Sequence, residues 1–194
     1  SVDTTEVPGT LHQFLAAGGV PGIHGVDTRA LTRRLRYRGV MMGAVSTEGG
    51  TADVLARLRG LPRYDNVDFV REVSTPVPYR WEGAPGSLPA AGLGAAEGGA
   101  PHVVVVDCGV KLNILRILRR LGCAVTAVPC TYSERQVLDL RPDGVLFSPG
   151  PGDPALLGHI ADTVQGLAGV KPIMGICLGE QLIGRAFGAR TFKL

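Results

Sequence analysis

Two short stretches of this sequence bring chemistry-bearing residues together with glycines that let the backbone pack closely. The first is Gly175-Ile176-Cys177-Leu178-Gly179, where an apolar run meets a helical pattern. Glycines two places either side of a cysteine match the G-x-nucleophile-x-G elbow, with sulfur in place of the serine oxygen. A sharp strand-to-helix turn holds the nucleophile in a strained conformation, and glycine at the flanks lets strand and helix approach. The same turn sets Cys177 at a helix N-terminus, where free N–H groups and the helix dipole favour a thiolate. It also aims the Leu178 N–H at the oxyanion that forms when sulfur attacks a carbonyl. The plainer reading of a lone G-x-C-x-G is a small buried hydrophobe at a turn.

The second stretch is Ser148-Pro149-Gly150-Pro151-Gly152-Asp153-Pro154. Gly150 and Gly152, free of Cβ, can turn N–H groups toward a ligand, and the prolines stiffen the loop. An oxyanion or substrate cradle fits, as does a rigid turn in which Asp153 caps the next helix. The other cysteines, Cys108, Cys123 and Cys130, border apolar runs and read as packing residues.

The elements that position these stretches alternate strand and helix. His102 to Asp107 reads as a strand buried on both faces. Leu112, Leu115, Leu118 and Leu121 then recur at helical spacing up to Gly122. Ala124–Val128 is a second strand, Ser133 opens a short helix, and Gly144–Phe147 is a third strand. A helix over 155–167, a strand over 172–176 and a helix over 178–187 complete four β-α units. Such a series predicts a doubly wound parallel sheet, because each parallel pairing needs a crossover. Ligands bind outside the carboxyl ends of such strands, where both stretches fall.

The residues before this domain predict a smaller α+β part. Thr10 caps a helix bearing Leu11, Phe14 and Leu15, Asp27 caps a second through Arg38, and Thr51 caps a third ending at Gly60. Met41–Ser46 reads as a strand. Residues 83–101 hold six Gly, six Ala, three Pro and one charge, a composition that predicts a flexible linker between parts 1–82 and 102–194.

Composition narrows the function. With 28 Gly and 14 Pro in 194 residues, turns are frequent, and 45% apolar residues suffice for a core. A net charge of +3 is too small to predict a nucleic-acid partner, and no apolar run is long enough to span a membrane. The four cysteines lack metal-ligand spacing, so no metal site is expected and a reducing, cytoplasmic setting is the default. Arg29, Arg33, Arg34, Arg36 and Arg38 crowd one helix, which reads as a solvated face or a partner contact.

GICLGEQ after an apolar strand, with SPGPGDP two elements earlier, resembles the class I, triad-type glutamine amidotransferases. More narrowly, PDGVLFSPGPGDP, VVDCGVKLNILRILRRLG and GVDTRALTRRLRYRGVMMGAVS resemble the small, glutamine-hydrolysing subunit of carbamoyl phosphate synthetase. The resemblance implies a flavodoxin-like amidotransferase domain in which Cys177 forms a glutamyl thioester and releases ammonia. It implies that Gly150 and Gly152 line the glutamine and oxyanion site. Leu178, through its backbone, and Gln181, through its side-chain amide, are implied to contact glutamine. The implied partner is the large synthetase subunit, which would carry ATP and Mg; no cofactor is implied for this chain. Carbamoyl phosphate formation for arginine and pyrimidine synthesis is the implied pathway.

Two features depart from the resemblance. The family's His-x-Glu pair lies well beyond the elbow, whereas Leu194 is seventeen residues past Cys177, so a central fragment with an incomplete C-terminal domain and weak or no glutaminase activity is expected. Of the histidines, His102 starts a strand at the wrong end of the sheet, His159 lies in a helix, and His12 and His24 belong to the other part. A non-catalytic regulatory or scaffold subunit is the alternative, and another cysteine-elbow hydrolase a third. Glu180 stands where the family most often has His, and its charge opposes a negative sulfur one turn away.

Overall fold

The computed structural model describes residues 9–82 and 99–192. The predicted linker lies outside the described residues over 83–98. Among the described residues, contacts divide the chain into two units, one of residues 68–82 with 99–191 and one of residues 9–67 with Phe192.

The larger unit is a five-stranded sheet with helices on both faces. Its elements run α4 (Phe69–Val73), β1 (Tyr79–Trp81), β2 (His102–Asp107), α5 (Leu112–Arg120), β3 (Ala124–Pro129), α6 (Glu134–Asp139), β4 (Gly144–Phe147), α7 (Gly158–Leu167), β5 (Ile173–Gly175) and α8 (Leu178–Ala186). The strand order is β1-β3-β2-β4-β5. β2, β3, β4 and β5 pair in parallel, with Val104 opposite Thr126 and Val145, and β1 runs antiparallel along β3. Among the parallel strands the first lies between the second and third, the flavodoxin-like order, so the direction of winding reverses between β2 and β4.

Alternation along the strands builds two cores. Val104, Val106 and Cys108 of the β2 edge pack with Val128, Phe147, Ile160, Val164, Leu178 and Leu182 on the face covered by α6, α7 and α8. Val105, Val125 and Leu146 point the other way, onto Leu115 of α5. The α5 leucines form the stripe their spacing predicts, and Ser133 caps α6 with its hydroxyl accepting from the Gln136 N–H.

Residues 9–67 form α1 (Leu11–Ala17), α2 (Thr28–Arg38) and α3 (Thr51–Arg59). Thr10 caps α1 in a reciprocal box with Gln13, and Asp27 caps α2 by accepting from the Ala30 N–H at 2.9 Å. None of the described side chains in this unit is buried.

The structure departs from the sequence expectations in four places. Met41–Ser46 is not a strand, because no neighbouring strand among the described residues of its unit offers a ladder, and the segment is exposed. Gly50, not Thr51, caps α3, with the Asp53 carboxylate accepting from the Gly50 N–H. The helix expected over 155–167 is interrupted at Leu157. Pro154 starts a separate 3-10 turn over Pro154–Leu156, fixed by Asp153 accepting from the Ala155 N–H at 2.9 Å. α4 and β1 were not anticipated: one has five residues, the other three, too few to show a period. β1 pairs with β3 and Val70 of α4 enters the main core, so residues 68–81 pack with the larger unit.

Candidate active site

β5 ends at Gly175 and α8 begins at Leu178, leaving Ile176 and Cys177 to make the turn. Cys177 has φ 55° and ψ −111°. For a residue with a Cβ this costs on the order of 1–3 kcal/mol, which the surrounding structure must offset. Three backbone hydrogen bonds hold it: Ile176 N–H to Phe147 carbonyl, Gly179 N–H to Ile176 carbonyl, and Gln181 N–H to Cys177 carbonyl. The flanking glycines are obligatory. A Cβ at Gly175 would overlap the Gly179–Glu180 backbone, and one at Gly179 would fall on the Phe147 carbonyl. Cys177 is therefore exposed at the mouth of the turn, and among the described residues nothing hydrogen-bonds its thiol.

The 148–154 loop leaves the carboxyl end of β4 beside this turn. Ser148 is fully buried; its Oγ accepts from the Cys108 N–H and donates to the Pro149 carbonyl, both at 2.9 Å. Gly150 is wedged between the Cys108 carbonyl and Leu178, whose Cδ2 would lie 2.8 Å from an added Cβ. Gly109, at φ 121°, packs against Pro151 and Gly150. The ends of β2 and β4 and the start of α8 thus converge on Gly150, at the reversal of winding.

The structure brings together Gly150, Leu178 and the elbow. Leu178 is only 2% exposed, so its side chain is a wall of this junction and its N–H, at the first helical position, has no carbonyl one turn back. Gln181 is exposed one turn along α8, and Gly152 adopts φ 98° within the loop. Neither histidine of this unit joins Cys177. His102 Nε2 lies 2.8 Å from Thr126 Oγ1 at the amino end of β2, and His159 is held in α7 with a buried Nε2 lacking a partner. Burial, then the charge of Arg71, holds the His159 pKa below its usual value, with Asp68 and Asp162 opposing.

Sequence reasoning missed Asp107. Its carboxylate is buried and accepts from the Gly109 and Val110 N–H groups at 2.9 and 2.7 Å, and from the Thr75 N–H at 2.9 Å. An Asp ending an apolar strand just before Cys-Gly is the signal of such an Asx turn. Burial pushes up the thiol pKa values of Cys108, Cys123 and Cys130, which suits packing residues. Among the described residues no group of His, Cys, Asp and Glu is placed to hold a metal, and no helix is long and apolar enough to cross a membrane.

A cysteine elbow at the carboxyl edge of a flavodoxin-like sheet, with a glycine loop packed against it, is the arrangement that the sequence resemblance to the class I glutamine amidotransferases implies. The class-I glutamine amidotransferase model matches residues 104–194, and the model of the carbamoyl-phosphate synthase small chain, CPSase domain, matches residues 2–45. Similar proteins include the carbamoyl phosphate synthase small chains of Methanopyrus kandleri, 42% identical over 95% of this chain and 48% of its own, and of Symbiobacterium thermophilum, 44% identical over 96% and 49%. The chloroplastic small chain of Oryza sativa subsp. japonica is 42% identical over 95% of this chain and 42% of its own. The chain belongs to the carbamoyl phosphate synthase small chain family, and it spans about half the length of these relatives.

Proposed function

We propose that this chain contributes the glutamine site of a carbamoyl phosphate synthase, with Cys177 as its nucleophile. The observation that carries the reading is the strained, exposed Cys177 at the start of α8, with Gly150 packed against the next residue. The sulfur attacks the side-chain amide carbon of glutamine. The resulting oxyanion accepts from the Leu178 N–H, with Gly150 and Gly152 supplying the facing backbone. Breaking the C–N bond then releases ammonia and leaves a glutamyl thioester, which water hydrolyses to glutamate. Gln181 holds the amino-acid end of the substrate through its amide. A base must take the thiol proton and protonate the leaving nitrogen, and no described residue is bonded to Cys177 for that task.

On this reading the ammonia goes to a large synthetase chain that binds ATP and Mg and forms carbamoyl phosphate for arginine and pyrimidine synthesis. Four free thiols suit a reducing compartment such as the cytoplasm. A chloroketone analogue of glutamine tests the site. Its mass is expected on Cys177, with labelling slowed by glutamine and not by asparagine; labelling indifferent to glutamine would overturn the assignment. With no described residue bonded to the thiol as a base, glutamine-dependent ammonia release by the 194-residue chain should fall roughly four orders of magnitude below a complete amidotransferase. Rapid release in a coupled ammonia assay contradicts this.

A further inference from the structure

β2 and β3 pair in parallel as far as Asp107 opposite Pro129, and the next residue after each strand is a cysteine. Neighbouring strands lie about 4.8 Å apart, inside the Cα separation of about 4.4–6.8 Å that a disulfide spans. The period of two puts both side chains on one face. Cys108 follows Val104 and Val106, and Cys130 follows Val128, all in the core covered by α6, α7 and α8. Both cysteines are free thiols, and both are buried. Neither of the other two cysteines competes for them. Cys123 packs in the opposite core, and Cys177 lies past β5, with β4 between that strand and β2.

The surroundings make the two sulfurs unequal. Burial is the largest influence on each and raises both thiol pKa values. At Cys108 the neighbouring Cys130, Asp107 and Asp68 add to it, and only the bond with Ser148 opposes. At Cys130 the Ser74 hydroxyl and the Arg71 guanidinium oppose it, while Asp68 and Asp107 add. Cys130 is therefore the readier thiolate, and Cys108 the thiol that resolves. Their cover is short. Ser74 Oγ, at the end of α4, accepts from the Cys130 N–H at 2.9 Å, and Val70 of α4 packs in the same core. A helix of five residues unfolds locally more readily than the sheet beneath it.

We propose that Cys108 and Cys130 are a redox pair that closes to a disulfide by exchange with a small disulfide such as oxidised glutathione, and that closure acts on the glycine loop. During local unfolding of α4 the Cys130 thiol gives its proton to water, and its sulfur attacks one sulfur of the glutathione disulfide. That S–S bond breaks, and one glutathione leaves as a thiolate and takes up a proton. Cys108 then loses its proton, attacks the Cys130 sulfur of the mixed disulfide and displaces the second glutathione. Two protein thiols are oxidised by two electrons, and one glutathione disulfide is reduced to two thiols. β2 lies between β3 and β4, so drawing Cys108 toward Cys130 draws it away from the loop that leaves β4. The bond from the Cys108 N–H to Ser148 Oγ lengthens, and the Cys108 carbonyl withdraws from Gly150. That this loop serves glutamine rests on the function proposed above, whereas closure of the pair does not.

The test equilibrates the full chain and its Cys123→Ser/Cys177→Ser variant in mixtures of reduced and oxidised glutathione, with and without urea. Peptide mapping should find residues 108 and 130 linked, and the variant should become lighter by two hydrogen atoms. The folded chain should favour the link about tenfold or more over the chain in urea, because the strands hold the two sulfurs together. In the linked form the amides of Cys108, Gly150 and Gly152 should exchange about threefold faster or more, and dithiothreitol should reverse this. No link, or a link no more favoured than in urea, overturns the pair. Unchanged exchange at those amides overturns its action on the loop. Circular dichroism checks that the variant is folded, and adding Cys108→Ser to it should abolish the loss of mass. Chloroketone labelling of Cys177 in the reduced, unsubstituted chain tests the glutamine site separately, so failure of one reading is distinguishable from failure of the other.

Discussion

A methyl group added at Gly150 would land on the Cys108 carbonyl oxygen and press on Leu178, so the convergence of three chain segments depends on a hydrogen atom there. Gly150→Ala and Gly179→Ala should each cost about 1–3 kcal/mol in urea unfolding, as overpacking does. Gly184→Ala is the contrast: within α8 its nearest neighbour would be the Ala189 methyl at 3.6 Å, and a gain of about 0.5–1 kcal/mol is expected. The thiols sort by burial. Cys177 should react first with a disulfide reagent in the native protein and Cys123 more slowly, while buried Cys108 and Cys130 should react only on unfolding. His159 gives a pH dependence with a fixed sign. Its folded pKa is lowered, so the unfolded chain takes up a proton that the folded chain resists, and its contribution to stability is lost as pH falls below about 6.5. The urea midpoint should drop on acidification, and less so in His159→Gln. The elbow was legible at this scale because glycine spacing and a strained turn share one cause. Asp107 was not, because nothing at position 107 announces a partner at Thr75, thirty-two residues away.

At the scale of elements, the sequence was most readable where a period ran long enough to repeat. β2, α5, β4 and α8 follow their apolar patterns to within a residue. β1 did not, since Tyr79-Arg80-Trp81 is a strand only because β3 offers an edge to it. Its anchor is the Thr75 N–H bonded to the Asp107 carboxylate, followed by Tyr79 and Trp81 against the α5 face. Asp107→Ala leaves three N–H groups without an acceptor and should cost about 2–4 kcal/mol. Hydrogen exchange should show the loss first at 75–81, with β2 and β4 still protected, and uniform loss across the sheet would count against this anchoring role. Met41–Ser46 is the converse case: an apolar, β-prone stretch that lacks a partner strand stays out of a ladder whatever its propensity.

The two units differ in what holds them. Residues 68–191 bury two cores on either side of a sheet, whereas residues 9–67 hold three capped helices and, among the described side chains, none that is buried. Capping contributes about 1 kcal/mol per helix, too little to stabilise short helices that lack packing. Amides of α1, α2 and α3 should therefore exchange well before those of β2, β3 and β4, and trypsin should cut at the α2 and α3 arginines first, leaving a resistant core beginning near residue 68. Equal protection in both units would show that the first has a packing partner in solution. The position of β1 also sets an order of events during synthesis. Tyr79 pairs with Ala127, forty-eight residues later, so the ribosome releases β1 before its neighbour has been made. At about 5–20 residues per second that interval is roughly 2–10 s. Through it the indole of Trp81 has no sheet to lie against, and the nascent chain presents an aromatic strand to whatever waits at the tunnel exit.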